Sequence, residues 1–226
     1  MKIVGLAGGL ASGKDTVAAL FAEHSVKSID ADVISRELTA DGSPAVADII
    51  AHFDAATTQS IAKENGGIDR AKLRDIVFRD KQELKWLEDY LHPLIRDGIR
   101  ERIKDITNGT TRDNMQQEAD ALATSDKSTY CLLIAPLLLE TGLCKTCDKI
   151  IVIDVRLEQQ IERACRRDQE AGMTRDIAEK IINSQLAQDA KLKLGDYILD
   201  NSGDESLLPA QVLAIHQQLI HSFAGS

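Results

Sequence analysis

Short apolar runs alternate with longer amphipathic stretches along most of the chain. Five runs, Lys2–Ala7, Val26–Asp30, Tyr130–Ala135, Lys149–Val155 and Tyr197–Leu199, are dominated by Val, Ile, Leu and Ala with little polar alternation. Strands buried on both faces read this way, and such strands belong to parallel sheets. Between the runs, apolar positions recur at helical spacing. Start signals place helices from Lys14 to about Glu23, from Pro44 behind Ser43, and from Arg70 behind Asp69. Further helices are placed from Pro93 to about Ile106, from Leu157 to Glu170, from Arg175 to Leu194 and from about Ser206 to Phe223. A Ser or Asp just ahead of a helix accepts hydrogen bonds from its unpaired N–H groups, and proline fits a first turn because its missing N–H would have no partner there.

Strands alternating with helices predict an α/β fold of three layers, a parallel sheet of about five strands with helices on both faces. The stretch from Asp69 to Ile106 is helical in pattern and carries no strand, so it predicts a helical lobe beside the sheet. From Asn108 to Ser128 the sequence turns polar and rich in turn formers, and it reads as a surface insertion.

Charge narrows the choice of partners. The 27 basic and 36 acidic residues among 226 give a net charge of -9, so no overall field draws in nucleic acid or an anionic membrane. Anionic ligands must be held by locally grouped cations. No apolar run approaches the ~20 residues that span a bilayer. A soluble, cytoplasmic monomer or small homo-oligomer is expected. The four cysteines include one Cys144-Lys-Thr-Cys147 pair, for which no second pair at metal spacing is evident, and ordinary reduced thiols are the better reading.

The chemistry begins directly after the first apolar run. Gly8-Gly9-Leu10-Ala11-Ser12-Gly13-Lys14-Asp15 has the spacing of a phosphate-binding loop, with Asp15 where the usual motif has the Ser or Thr that binds magnesium. The glycines let the loop wrap a polyphosphate, backbone N–H groups and the following helix N-terminus supply positive potential, and Lys14 reaches the outer phosphates. Cofactor-binding candidates are therefore Gly9, Ala11, Ser12, Gly13, Lys14, Asp15 and Thr16, with a nucleoside triphosphate and Mg2+ as the ligands. Asp15 and Thr16 are the metal candidates, and the alternative for Asp15 is simple stabilisation of the helix N-terminus.

The second strand ends in Ile29-Asp30-Ala31-Asp32, at the sheet edge where α/β proteins bind ligands. A carboxylate there can orient an acceptor hydroxyl in line with a terminal phosphate and take its proton late in transfer. Asp32 is the candidate, against the alternative of a helix cap. Arg163, Arg166 and Arg167 follow the fourth strand on a helix, where they either close over a triphosphate or form a solvated face paired with Glu158, Glu162 and Asp168. His92-Pro93, Pro136-Leu137-Leu138 with Glu140, and Ile150 to Asp154 are each weak signals alone.

Together these segments resemble the dephospho-coenzyme A kinase family. The resemblance rests on Gly8 to Thr16, Asp30-Ala31-Asp32, Asp69-Arg70 with Leu73-Arg74 and Val77-Phe78, His92-Pro93-Leu94-Ile95, Pro136-Leu137-Leu138 with Glu140, the Arg163 segment and Asp196 to Asn201, in that order. It covers roughly residues 2–107 and 129–203, and implies a P-loop kinase fold with a helical substrate lobe and a lid. It implies ATP-dependent phosphorylation of the ribose 3'-hydroxyl of dephospho-coenzyme A, with Lys14, Asp32 and Arg163 as catalytic residues. Asp32, Arg70, His92, Pro93 and Leu137 then contact the acceptor. The expected division is a core of 1–58, 129–156 and 195–226, an acceptor lobe of about 59–107, an insertion of about 108–128 and a lid of about 157–194. Three departures from the family pattern are Asp15, the Asn108 to Ser128 stretch, and Gln188 where a basic residue is common. A kinase for another small acceptor, such as a nucleoside monophosphate, is the alternative. A guanine-nucleotide switch is disfavoured, because no Asn-Lys-x-Asp segment occurs.

Overall fold

In the computed structural model, residues 1–56, 60–109 and 129–225 are described. The chain divides into two compact units, Met1–Asp30 with Asp105–Ser226, and Ala31–Lys104. Most of the 108–128 insertion expected from the sequence lies outside the described residues.

The first unit is built on a sheet of five parallel strands, β1 (Lys2–Ala7), β2 (Ser28–Asp30), β3 (Tyr130–Ile134), β4 (Lys149–Asp154) and β5 (Tyr197–Asp200), in the order β2-β3-β1-β4-β5. All five runs expected from the apolar pattern are strands, because a central parallel strand needs apolar side chains on both faces. β1 is central, and the chain crosses from one side of it to the other between β3 and β4. That reversal of strand order is where open α/β sheets bind ligands, beyond the strands' carboxyl ends.

The helices α1 (Lys14–Ala22) and α9 (Leu208–Ala224) pack with the sheet in one cluster. Val17 and Phe21 of α1 and Val212, Ile215 and Leu219 of α9 meet Val4, Leu6, Leu132, Ile151 and Ile153. At the opposite strand ends, two aspartates staple the register. Asp148 accepts from the Ile3 N–H and from Lys2 Nζ, and Asp196 repeats the device on Ile150 N–H and Lys149 Nζ, all at 2.8–2.9 Å. The Cys147 thiol is held protonated by burial, its pKa pushed up to about 12, and Cys131 to about 11 for the same reason.

The second unit holds α2 (Ala31–Leu38), α3 (Pro44–Ala56), α4 (Arg70–Arg79) and most of α5 (Lys81–Asn108). The Asp69 carboxylate caps α4 by accepting from the N–H groups of Ala71 and Lys72. Ser43, expected to cap α3, instead donates its hydroxyl to the Leu38 carbonyl at the end of α2. Pro93 is not a first-turn residue: α5 continues through it from Lys81. Proline removes one hydrogen bond and strains the turn before it. The apolar stripe Trp86, Leu87, Tyr90, Leu91 and Leu94 nevertheless packs without interruption against Ile49, Phe53, Ile61 and Ile68. Packing of that stripe outweighs the local penalty.

Candidate functional site

The loop between β1 and α1 owes its shape to backbone conformations that glycine makes cheap. Gly13 has φ +92°, in the left-handed region, and forms the N-cap of α1. Ala11 also has a positive φ, of 51°. The Ser12 N–H turns back to the Gly9 carbonyl at 3.3 Å. Lys14 Nζ donates to the carbonyls of Gly8 and Gly9 at 2.9 and 3.0 Å, which holds the ammonium against the loop backbone. The first N–H groups of α1 have no partner within the helix and lie at its positive end. A cation and backbone donors converging on one turn make a polyphosphate cradle.

The cradle is braced from behind by amide side chains. Asn201, just past β5, donates its Nδ2 to the Ser12 carbonyl at 2.8 Å. Gln160 of α6 (Leu157–Arg167) is buried, and a methyl group on Gly9 would stand 2.6 Å from its Oε1. Ser12 Oγ, Gln160 Oε1 and Asn201 Oδ1 are buried and lack a hydrogen-bond partner. An added Cβ at Gly13 would meet Asn201 Nδ2 and hold a side chain at a φ that L residues avoid. Gly13→Ala is expected to destabilise the protein by about 1–3 kcal/mol and to weaken ATP binding in parallel, as urea unfolding and calorimetry would show.

Each candidate residue has a defined place. Gly9, Ala11, Ser12, Gly13, Lys14, Asp15 and Thr16 are gathered in the loop and the first turn of α1, with Asp15 and Thr16 exposed. Leu137 is 41% exposed, in the turn that follows β3. Arg163 on α6 donates to the Asn201 carbonyl at 3.3 Å and to Glu205 at 3.4 Å, so it is linked through Asn201 to the phosphate loop. Arg167 is paired with Asp168 and raised in basicity first by that hydrogen bond, with a smaller contribution from the Asp15 charge. In the second unit, Asp32 is exposed in the first turn of α2, and Arg70 opens α4 with its Nη2 on the carbonyl and hydroxyl of Thr39. His92 and Pro93 occupy the middle of α5, His92 half-buried and Pro93 exposed.

Among the features that the sequence pattern does not show is α2, since Asp32 reads there only as a cap or a functional group. The single helix expected over Arg175 to Leu194 is two, α7 (Arg175–Ser184) and α8 (Gln188–Leu194). The break exists because residues in it are bound elsewhere: Gln185 Oε1 accepts from the Leu10 N–H at 3.2 Å, and the Leu186 N–H donates to Glu140 Oε1 at 2.9 Å. Gln188, where the family resemblance anticipates a base, donates to the Ile153 carbonyl and to Asp154 Oδ1 at the end of β4. Nothing in a lone glutamine between helical stretches announces such contacts.

A central parallel strand running into a glycine-bent phosphate loop and a helix, in a sheet of this order, defines a P-loop kinase fold. Two solved structures share it across nearly the whole chain. A Thermus thermophilus protein has TM-score 0.70 and 23% identity, covering 96% of this chain and 97% of its own. A dephospho-CoA kinase from Campylobacter jejuni has TM-score 0.65 and 24% identity, covering 97% and 98%. The family model for dephospho-CoA kinase matches residues 2–206. Dephospho-CoA kinases of Shewanella oneidensis and Aeromonas hydrophila are 38% and 37% identical over 218 residues, which are 96% of this chain and 93% and 94% of theirs. The chain belongs to the dephospho-CoA kinase family.

Proposed function

We propose that this chain transfers the terminal phosphoryl group of ATP to the ribose 3'-hydroxyl of dephospho-coenzyme A, the final step of coenzyme A biosynthesis. The observation that carries the reading is the phosphate loop, Lys14 against its backbone, in a chain that matches the family over residues 2–206. In phosphoryl transfer the protein supplies position and charge rather than a covalent intermediate. Lys14 and the N–H groups at the start of α1 hold the outer phosphates and offset charge that grows on them. Asp32 accepts a hydrogen bond from the 3'-hydroxyl, aims it at the terminal phosphorus, and takes its proton as the new P–O bond forms and ADP leaves. Arg163 adds positive charge on the α6 side. Residues about 59–107 serve as the acceptor lobe, and Arg70, His92, Pro93 and Leu137 are acceptor contacts. Residues about 157–194 form the lid that keeps water from the terminal phosphate.

The donor set at the loop suits magnesium. Asp15 and Thr16 offer hard oxygen atoms in the exposed first turn of α1, and among the described residues there is no cluster of three or more metal-ligating side chains. Mg2+ is commonly held by one or two protein oxygens together with waters and phosphates. When bound, the ion neutralises phosphate charge; Asp15 and Thr16 would hold it from the protein side. Asp15→Ala is expected to raise the magnesium concentration needed for half-maximal rate, with Asp15→Ser restoring it. An unchanged magnesium titration for Asp15→Ala would reduce Asp15 to a helix-terminus charge.

A panel of acceptors in one ADP-coupled assay tests the reading. Dephospho-coenzyme A is expected to give the highest kcat/KM, and a nucleoside monophosphate preferred over it would overturn the assignment.

A further inference from the structure

Lys191 is buried, only 4% exposed, in a chain whose other lysines mostly reach water. A lysine almost never goes inside unless it is paired. Its ammonium lies 3.6 Å from Glu140 Oε1 and 3.5 Å from Gln185 Oε1. Burial lowers its pKa, and the Glu140 charge and hydrogen bond work against that effect. Glu140, in the turn after β3, also accepts from the Leu186 N–H, and Gln185 accepts from the Leu10 N–H of the phosphate loop. Both acceptors therefore bind Lys191 on one side and the backbone of a bend or loop on the other.

The surroundings agree. Leu10 and Ala11 pack with Ile161 and Ala164 of α6 and Ala178 and Ile182 of α7, so the loop's outer half rests on the helices that follow β4. A Cβ at Gly9 would approach Gln185 Oε1 to 3.2 Å, which shows how closely the carboxamide lies against the loop.

We propose that Lys191, Glu140 and Gln185 form a positioning cluster that sets the phosphate loop for ATP, with Lys191 acting through Gln185 on the Leu10 end of the loop. The three residues act through the loop rather than on the reacting atoms. Lys191 fixes the Gln185 carboxamide, Gln185 fixes the Leu10 N–H, and the turn from Ala11 to Gly13 keeps the curvature that aims its backbone donors. Glu140 compensates the buried charge and pins the joint between α7 and α8, so the geometry of that joint is transmitted to the nucleotide site. This inference rests on the kinase reading of the loop.

The test is a double-mutant cycle on Lys191→Met and Gln185→Met, read by calorimetric titration of the full-length protein with ATP and, separately, with dephospho-coenzyme A. Misplacing a binding group by a fraction of an ångström is costly, so each single variant is expected to weaken ATP binding by about tenfold or more. The double variant is expected to be no weaker than the worse single one, since both act on one contact. Binding of dephospho-coenzyme A should stay within about twofold in every variant, a selectivity that general loosening of the fold would not produce. Unchanged ATP binding in folded Gln185→Met, or multiplied losses in the double variant, would overturn the proposal. Should Lys191→Met fail to fold, Gln185→Met at its half-buried position carries the test. Absence of ATP binding by the unaltered protein would count against the kinase reading itself, a result distinguishable from either of these.

Discussion

Lys14→Ala is expected to lower kcat by about 10²- to 10³-fold, the loss typical when one preorganised electrostatic group is removed from a transition state. Lys14 lies against the Gly8 and Gly9 carbonyls at the cradle it would serve. In phosphoryl transfer the leaving ADP and the three outer oxygens carry charge that water would otherwise solvate, and a fixed ammonium replaces that water without reorganising. The apolar core beneath the loop does not involve the Lys14 head group, so Tm should move by only a few degrees. Steady-state kinetics alongside a thermal melt would separate the effects. A variant as active as the parent would remove Lys14 from the transition state, and a variant that is simply unfolded would show the Gly8 and Gly9 hydrogen bonds to be structural.

Asp32→Asn should lower kcat by about 10²-fold, toward the lower end of the range for a lost general base. Asparagine keeps the size and can still accept a hydrogen bond from the 3'-hydroxyl, but it cannot take the proton. A carboxylate is a weak base, so much of the Asp32 contribution is alignment. Asp32→Ala, which loses alignment as well, should fall further. KM for dephospho-coenzyme A should change less than kcat in Asp32→Asn. If KM rises and kcat stays level, Asp32 binds the acceptor without assisting the chemistry. Full retention of both would leave it as a first-turn charge on α2, where an acidic residue is favourable on its own.

The sheet could be read from the chain because its strands are buried on both faces. Val, Ile and Leu in short runs admit few other homes, and the runs Lys2–Ala7, Tyr130–Ala135 and Lys149–Val155 are strands almost to the residue. The phosphate loop was equally legible, since Gly13 supplies a left-handed φ and the residues around it must stand in strand, loop, helix order. Errors came where tertiary contacts overrode a local signal. Pro93 marks a helix start by local rules, yet the stripe from Trp86 to Leu94 carries α5 through it. The helical pattern from Arg175 to Leu194 is interrupted because Gln185 and Leu186 bond to Leu10 and Glu140, residues far away in the chain.

The same distance hides part of the candidate site. Glycine spacing names the loop residues proposed to hold phosphate, but the amides that lie against them come from α6, from the joint after α7 and from the end of β5. Asn201 offered the one usable hint, a polar residue closing an apolar strand at the ligand edge of a parallel sheet. Gln160 and Gln185 offered none. Asp15 is the reverse case: its departure from the usual hydroxyl is plain in the sequence, and only its response to magnesium will give it a role.

The most direct measurement follows the phosphate itself. With ATP, magnesium and dephospho-coenzyme A, phosphorus NMR and mass spectrometry of the products should show one new phosphomonoester on the ribose 3'-oxygen for each ADP formed. ADP production that does not depend on dephospho-coenzyme A, or an acceptor recovered unchanged from folded and magnesium-supplied protein, would contradict the account.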